Sequence, residues 1–161
     1  MKRITFLFII VFIPVLLSAG NGERKAWRKL KRETNAHCLF IPKPPIALMR
    51  MCMKKSDNKK AEELLKHTRN VKVLIKEDVG SAHYNSALSD FRLSLKQEEY
   101  EPVLTIIEED GSISCFVKMD EELIREVYLL VNDGEDLLCL RIKGRFTDRH
   151  LLYLANDLDV L

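Results

Sequence analysis

The C-terminal half of the chain contains two consecutive pairs of stretches in which apolar and polar residues alternate, and this pattern limits the possible folds most. Residues 103–108 and 113–118 flank Asp110-Gly111, the residue pair favoured in a tight type I′ turn. Residues 124–131 and 137–143 flank a longer loop. Because side chains alternate between the two faces of a strand, each pair of stretches predicts a β-hairpin. Two successive hairpins predict an antiparallel meander.

Helical periodicity surrounds the predicted meander. Four apolar residues have the spacing of one buried stripe along a helix: Tyr84, Leu88, Phe91 and Leu95. Thr147 is a favourable N-cap for a final helix. The apolar face of that helix would be formed by three leucines: Leu151, Leu154 and Leu158.

The segment over residues 38–75 mixes short strands and short helices. Residues 38–41 and 71–75 predict strands, a short helix follows Pro45, and another helix ends near Thr68. Helices before, within and after an antiparallel sheet predict an α+β fold of two layers, with the helices on one sheet face. No repeat or linker divides the 161 residues, so we expect a single domain.

The N-terminus has the three zones of a secretory signal peptide. Lys2 and Arg3 precede an apolar run over residues 4–17, and Ser18-Ala19-Gly20 supplies small residues for cleavage. The run is shorter than the ~20 residues of a membrane span, although an uncleaved anchor is the alternative. Asn21 stands where a lipoprotein would carry its lipid-bearing cysteine. We therefore expect an exported periplasmic or cell-envelope protein with a signal peptide over residues 1–20.

Charge is divided unevenly along the chain. The whole chain has a net charge of +2, but residues 21–76 carry 16 basic and 5 acidic residues, and residues 77–161 carry 8 and 19. This balance argues against a generally basic, nucleic-acid-binding protein. The basic half begins with residues 21–36, which we expect to be a solvated, partly frayed arm before a single domain over residues 37–161. The alternative for the arm is contact with an anionic membrane surface, through five residues: Arg24, Lys25, Trp27, Arg28 and Lys29.

The four cysteines and four histidines lack the spacing of known metal or redox motifs. Cys38, Cys52, Cys115 and Cys139 include no Cys-x-x-Cys pair, so no zinc site and no cofactor is predicted. Export would permit a disulfide, while a domain of this size can keep free thiols, and the sequence leaves both open. We expect no catalytic role for the histidines: His37, His67, His83 and His150.

Several segments are similar to one exported bacterial family. Leu39-Phe40-Ile41-Pro42-Lys43 and then Leu48-Met49-Arg50-Met51 resemble the strand and "Met-Leu-Arg-Met" helix of the family called domain of unknown function 4252. Asn70-Val71-Lys72-Val73-Leu74, Tyr100-Glu101-Pro102-Val103-Leu104 and Leu140-Arg141-Ile142-Lys143-Gly144 resemble its later strand, "Tyr-Glu-x-Leu-Met" and "Leu-x-Gly" segments.

The resemblance covers residues 38–161 and implies an exported α+β domain with no catalytic residue to carry over. Two features depart from the family pattern. Pro44-Pro45 differs from the usual start of the short helix, and the lipid-bearing cysteine of many members is missing.

The alternation of the last strands suggests where a partner could bind. If Leu138, Leu140 and Ile142 face the helices, a mixed set of residues faces the other side of the sheet. That set forms a candidate partner surface: Tyr128, Leu130, Cys139 and Arg141. The sequence leaves the identity of the partner and the oligomeric state undetermined.

Recognisable catalytic motifs are missing from the sequence. It has no Gly-rich phosphate loop and no Gly-x-Ser-x-Gly elbow. The remaining candidates are carboxylates clustered at strand ends and turns, such as Glu98 and Glu101, Asp120 and Glu122, or Asp133. We therefore predict a non-enzymatic envelope domain that binds a protein or surface partner. The alternatives are a carboxylate-dependent hydrolase and a membrane-surface protein acting through the arm.

Overall fold

The computed structural model describes residues 21–53, 59–77, 81–108, 111–150 and 152. The predicted leader, residues 1–20, lies outside these ranges. The helices and strands are, in chain order, α1 (Asn21–Thr34), β1 (His37–Ile41), α2 (Lys43–Met53), α3 (Lys59–His67), β2 (Thr68–Lys76), α4 (Ser81–Gln97), β3 (Glu101–Ile107), β4 (Ser112–Asp120), β5 (Leu123–Asn132) and β6 (Leu137–Phe146).

The strands form one six-stranded antiparallel sheet with the order β1-β2-β6-β5-β4-β3. Strands β3 to β6 are neighbours in chain order, which confirms the predicted meander. The Asp110 part of its first turn lies outside the described residues. Strand β2 pairs with the other edge of β6, and β1 pairs with β2. The predicted α+β class is confirmed.

Helices α1 and α4 cover one face of the sheet. Leu88, Phe91 and Leu95 of α4 are buried, as the helical stripe predicted; the side chain of Tyr84 lies outside the description. Trp27 of α1 packs edge-on against Phe91 at 6.0 Å between ring centroids. Tyr128 of the sheet joins the same aromatic cluster at 5.9 Å from Trp27. Aromatic contacts of this geometry contribute about 0.5–1.5 kcal/mol each beyond area burial, so they bind the helical layer to the sheet.

Residues 21–36 are therefore not a frayed arm. The buried positions of α1 recur at i, i+4, i+7 and i+11 and form one helical stripe: Glu23, Trp27, Leu30 and Thr34. The helix ends in a left-handed turn, with Asn35 at φ 51° and the Ala36 N–H donating to the Lys31 carbonyl at 3.2 Å. The six cations between residues 24 and 32 are all exposed, and their number made this stripe hard to recognise in the sequence.

The opposite sheet face also carries a helix, which corrects the expectation of helices on one face. Leu64 of α3 packs on a second apolar cluster that contains Val127 of β5 and Phe146 of β6. Helix α2 packs beside α3 and buries Ile46. The main helical layer lies on the face that holds Tyr128, and α2 and α3 lie on the other.

The C-terminal end begins a further helical turn. Residues 148–150 are helical, and the His150 N–H donates to the Thr147 carbonyl at 2.9 Å. The predicted apolar residues of this helix, Leu151, Leu154 and Leu158, lie outside the description. Within the described part of the chain, no helix has both the length and the apolar character that crossing a membrane requires.

The cysteines that the structure describes are free thiols. Cys38 is exposed, Cys115 is half-buried, and Cys139 is buried. Cys38 and Cys139 pair with the same residue of β2, Leu74, from its two sides. Two strand spacings amount to ~9.5 Å, which exceeds the Cα separation of a disulfide. The side chain of Cys52 lies outside the description.

Candidate functional site

A network of charged and phenolic side chains lies between α1 and the sheet. Arg141 of β6 is central: its Nη1 is 3.4 Å from Glu23 of α1, and its Nε and Nη2 each lie 3.1 Å from Glu126 of β5. The Tyr128 hydroxyl donates to Glu23, and the Tyr100 hydroxyl donates to Glu126 at 2.8 Å. We call these five residues the buried polar network. It compensates the Arg141 charge, whose side chain is only 6% exposed.

The pKa values of Tyr100, Tyr128 and Glu126 are all shifted away from neutral pH. Burial raises the pKa of both tyrosines, and the neighbouring carboxylates raise it further. Burial alone would raise the pKa of Glu126, but the hydrogen bond from Lys143 and the charge of Arg141 outweigh it and lower that pKa. The network is therefore a structural clamp between α1 and the sheet, and Tyr100, Tyr128 and Glu126 are not poised for acid–base chemistry.

A groove of about 400 Å³ opens beside the buried polar network, between α1 and the strands β1, β2 and β6. We call it the basic groove. Cations outnumber carboxylates on its walls, and the lining comprises Arg24, Arg28, Lys72, Arg141 and Lys143, together with Glu23, Trp27, Phe40 and Asn70. This excess of positive charge favours an anionic occupant.

Both local structure and strand register bring these cations together. Arg24 and Arg28 are four residues apart, so they share one side of α1. Lys72 pairs directly with Arg141 across β2 and β6. The pKa of Lys72 is lowered by burial and then by the charge of Arg141, as expected where like charges crowd together. An anion in the groove would relieve this repulsion.

A second, wider pocket of about 770 Å³ shares Lys143 with the basic groove. It too is rich in cations, with Lys43, Lys66, Arg69, Arg125, Lys143 and Arg145 against Asp120 and Glu126. Arg125, Arg141, Lys143 and Arg145 come from the acidic half of the sequence. The positive surface is therefore assembled from both halves of the chain, and it is not simply the basic half facing the acidic one.

The predicted partner surface is wrong in its orientation. Tyr128, Leu130 and Cys139 are fully buried under α1 and α4, and Arg141 is 5% exposed. The physical reason is that α1 belongs to the fold and covers this face. Leu138 and Leu140, which we expected beneath the helices, lie half-buried on the other face.

The five residues predicted for the arm have divided roles. Trp27 is 5% exposed and cannot insert into a membrane from its place in the core. Lys29 pairs with Asp90 of α4 at 2.5 Å. Arg24, Lys25 and Arg28 are exposed, and Arg24 and Arg28 line the basic groove.

Several of the acidic residues considered for catalysis have structural partners. Asp120 pairs with Arg125 at 2.8 Å, and Glu98 accepts the Gly22 N–H at 3.1 Å. Asp133 accepts the backbone N–H groups of Glu135 and Asp136, which lower its pKa. Its carboxylate therefore stabilises the β5–β6 turn.

Sequence reasoning missed Lys72, Lys143 and Phe40 as lining residues. Their proximity depends on the order β1-β2-β6, in which strands distant in sequence are neighbours. It also missed a cluster of possible metal ligands on the other side of the sheet, formed by Glu63, His67 and His150.

Comparison of the sequence with models of known protein families identifies the family of this chain. The family model described as "Domain of unknown function (DUF4252)" matches residues 33–152. The chain belongs to the DUF4252 family. The DUF4252 match includes all six strands, whereas most of α1, with Arg24, Trp27 and Arg28, precedes it. Comparison with curated proteins and with solved structures gave no match.

Proposed function

We propose that this protein is an exported, non-enzymatic binding domain of the cell envelope that takes anionic groups, such as phosphate, into the basic groove. The observation that carries the proposal is the convergence of Arg24, Arg28 and Lys72 on one groove, beside Arg141 and Lys143, whose charges are paired with Glu23 and Glu126. Guanidinium groups match the geometry of phosphate oxygens, and ammonium groups add positive charge. Export is supported by the N-terminal pattern, in which Lys2 and Arg3 precede an apolar run.

The ligand source that we favour is the headgroup layer of an anionic membrane. The exposed Arg24 and Arg28 and the cations of the wider pocket extend the positive charge of the basic groove over a larger surface. Since Trp27 is committed to the core, the contact would be electrostatic and peripheral, without insertion of an aromatic anchor. Binding should therefore weaken steeply as salt rises.

The test compares two double variants of the full mature chain in a vesicle sedimentation assay. Arg24→Gln with Arg28→Gln removes two groove cations; Lys31→Gln with Arg32→Gln removes two cations from the same helix outside the groove. One cation near an anionic membrane contributes ~1 kcal/mol, so the groove variant should bind phosphatidylglycerol vesicles about 30-fold more weakly. The control variant removes the same net charge, but Lys31 and Arg32 do not line the groove that would hold the headgroup, so it should lose clearly less.

The outcomes separate the possible ligands. Equal losses in both variants would show that net charge, and not the groove, governs binding, and would overturn the proposal. Binding of pyrophosphate that depends on Arg24 and Arg28, without vesicle binding, would keep the groove and replace the headgroup by a soluble phosphate compound. Absence of both kinds of binding at low salt would reject the function.

A further inference from the structure

Three potential metal-ligating side chains meet on the sheet face opposite α1. Nε2 of His67 lies 3.2 Å from Oε1 of Glu63, and Nε2 of His150 lies 3.9 Å from the same oxygen. The two imidazole rings are 4.7 Å apart between centroids. The candidate ligand atoms of all three residues lie within 4.8 Å of one another.

The fold brings these residues together from distant parts of the sequence. Glu63 and His67 are four residues apart in α3 and so share one side of that helix. Helix α3 runs directly into β2, whose first residue, Thr68, pairs with Gly144 of β6. A Cβ at Gly144 would collide with the carbonyl oxygen of His67, so glycine is required for this close approach. His150 follows six residues later, and its ring packs against Phe146.

Thr147 can orient the His150 ring for a metal. Nδ1 of His150 lies 3.0 Å from both the backbone nitrogen and the hydroxyl of Thr147. When Nδ1 accepts the backbone N–H, the neutral ring carries its proton on Nε2. When Nδ1 is protonated instead, it can donate to the hydroxyl, and the Nε2 lone pair points at Glu63 and His67.

We propose that Glu63, His67 and His150 bind a divalent transition-metal ion of the zinc class. Two imidazoles and one carboxylate are a common ligand set for such ions and leave a fourth position open. Bonds of about 2.0–2.1 Å in a tetrahedral arrangement place ligand atoms about 3.3 Å apart, close to the two shorter distances here. The side chains of Glu63 and His67 are 45% and 34% exposed, which leaves them room to close around an ion.

The electrostatic environment supports these roles. The pKa of Glu63 is lowered by the hydrogen bond with His67 and by the charge of Lys66, so the carboxylate is ionised near neutral pH. The pKa of His150 is lowered by burial and by His67, so this ring is neutral there. Metal ions bind deprotonated ligand atoms, so the carboxylate can bind directly, whereas the neutral His150 ring must first carry its proton on Nδ1 and not on Nε2. Lys66 and Arg149 are the nearby cations that oppose binding.

The experiment titrates Zn²⁺ into the full mature chain by calorimetry at pH 7.5, in the wild type, His67→Gln and His150→Gln. We expect one ion per chain in the wild type and at least ~100-fold weaker binding in either variant. His37→Gln is the matched control, because His37 is exposed on β1 and lies outside the cluster. Thr147→Val should weaken binding ~10- to 100-fold, as loss of a supporting hydrogen bond does at known sites.

A spectroscopic readout distinguishes this site from the thiols. Co²⁺ bound to two nitrogens and one oxygen should give visible d–d bands without the near-ultraviolet thiolate band that Cys38 would produce. Far-UV circular dichroism checks that each variant is folded. A wild type that binds no Zn²⁺, or binding that survives both histidine substitutions, would overturn the proposal. None of the three ligands lines the basic groove, although His67 lines the wider pocket, so the Zn²⁺ titration and the vesicle assay on Arg24 and Arg28 test different residues.

Discussion

Helix α1 has two faces with opposite relations to solvent. Its inner face places Trp27 and Leu30 in the core and Glu23 beside Arg141. Its outer face presents Arg24 and Arg28 to the basic groove and to solvent. A segment with many charges can therefore still be a core element, because one buried apolar stripe is enough to hold the helix against the rest of the fold.

The two faces also differ in how charge is stabilised. On the inner side, Arg141 has two carboxylate partners and almost no contact with water. On the outer side, Lys29 pairs with Asp90 while both side chains stay about half exposed. We therefore expect substitutions on the inner side to act on folding, and substitutions on the outer side to act mainly on ligand binding.

The largest effect should come from Trp27→Ala. The side chain is 5% exposed and contacts both Phe91 and Tyr128, so its removal should lower the free energy of unfolding by about 3–5 kcal/mol. Urea unfolding followed by far-UV circular dichroism measures this loss. Leu93→Ala in α4 is the control: Leu93 is 57% exposed, and its removal should change stability by about 0.5 kcal/mol or less.

Trp27 also reports its own location, because it is the only tryptophan of the chain. Its fluorescence in the native protein should be blue-shifted and should move to the red when urea unfolds the protein. Emission that is already red-shifted in the native state would mean that α1 is a solvated arm. In that case α1 would have no buried inner face.

Much of this architecture could be predicted from the sequence, because its signals are local. Period-two alternation indicated β3 to β6, and the apolar stripe indicated α4. The prediction of which sheet face lies under α1 and α4 was wrong. The reason is an unbroken apolar run in β6: Leu137, Leu138, Cys139 and Leu140. Both faces of β6 are therefore apolar at that point, and alternation alone cannot say which face the helices cover.

The site residues were harder to predict, because long-range pairing brings them together. Lys72 meets Arg141 through the pairing of β2 with β6, across a large separation in sequence. The same pairing brings His67 near His150. As isolated residues these two histidines had no metal-binding spacing, and no local pattern could have joined them.

An effect of comparable size should come from Arg141→Met. Removing one partner of a buried ion pair leaves Glu23 and Glu126 without their shared cation, which should cost about 3–5 kcal/mol near neutral pH. Arg125→Met removes a surface partner of Asp120 and is the control, with an expected loss of about 1 kcal/mol or less. Chemical unfolding of both variants at pH 7 measures the difference.

The stability difference between the wild type and Arg141→Met should depend on pH. The folded-state pKa of Glu126 lies below its usual value, so its contribution is present above the unfolded pKa of about 4.3 and is lost as pH falls through the lower, folded pKa. Without Arg141 this contribution shrinks. The stability difference between wild type and Arg141→Met should therefore be largest near neutral pH and should narrow below about pH 4.3. A constant difference across this range would argue against an electrostatic role for Arg141.

The smallest effect should come from Lys29→Gln on the outer face. The hydrogen bond from Lys29 to Asp90 and the charge of Asp90 raise the pKa of Lys29, but both partners remain in contact with water. Solvent screening and the entropy of long side chains cancel most of the gain from such a pair. We expect no measurable change in the thermal midpoint at 0.15 M salt, where charges are screened within ~8 Å. A destabilisation as large as that of Arg141→Met would show that the outer face of α1 also holds the fold together, and the distinction between its two faces would be lost.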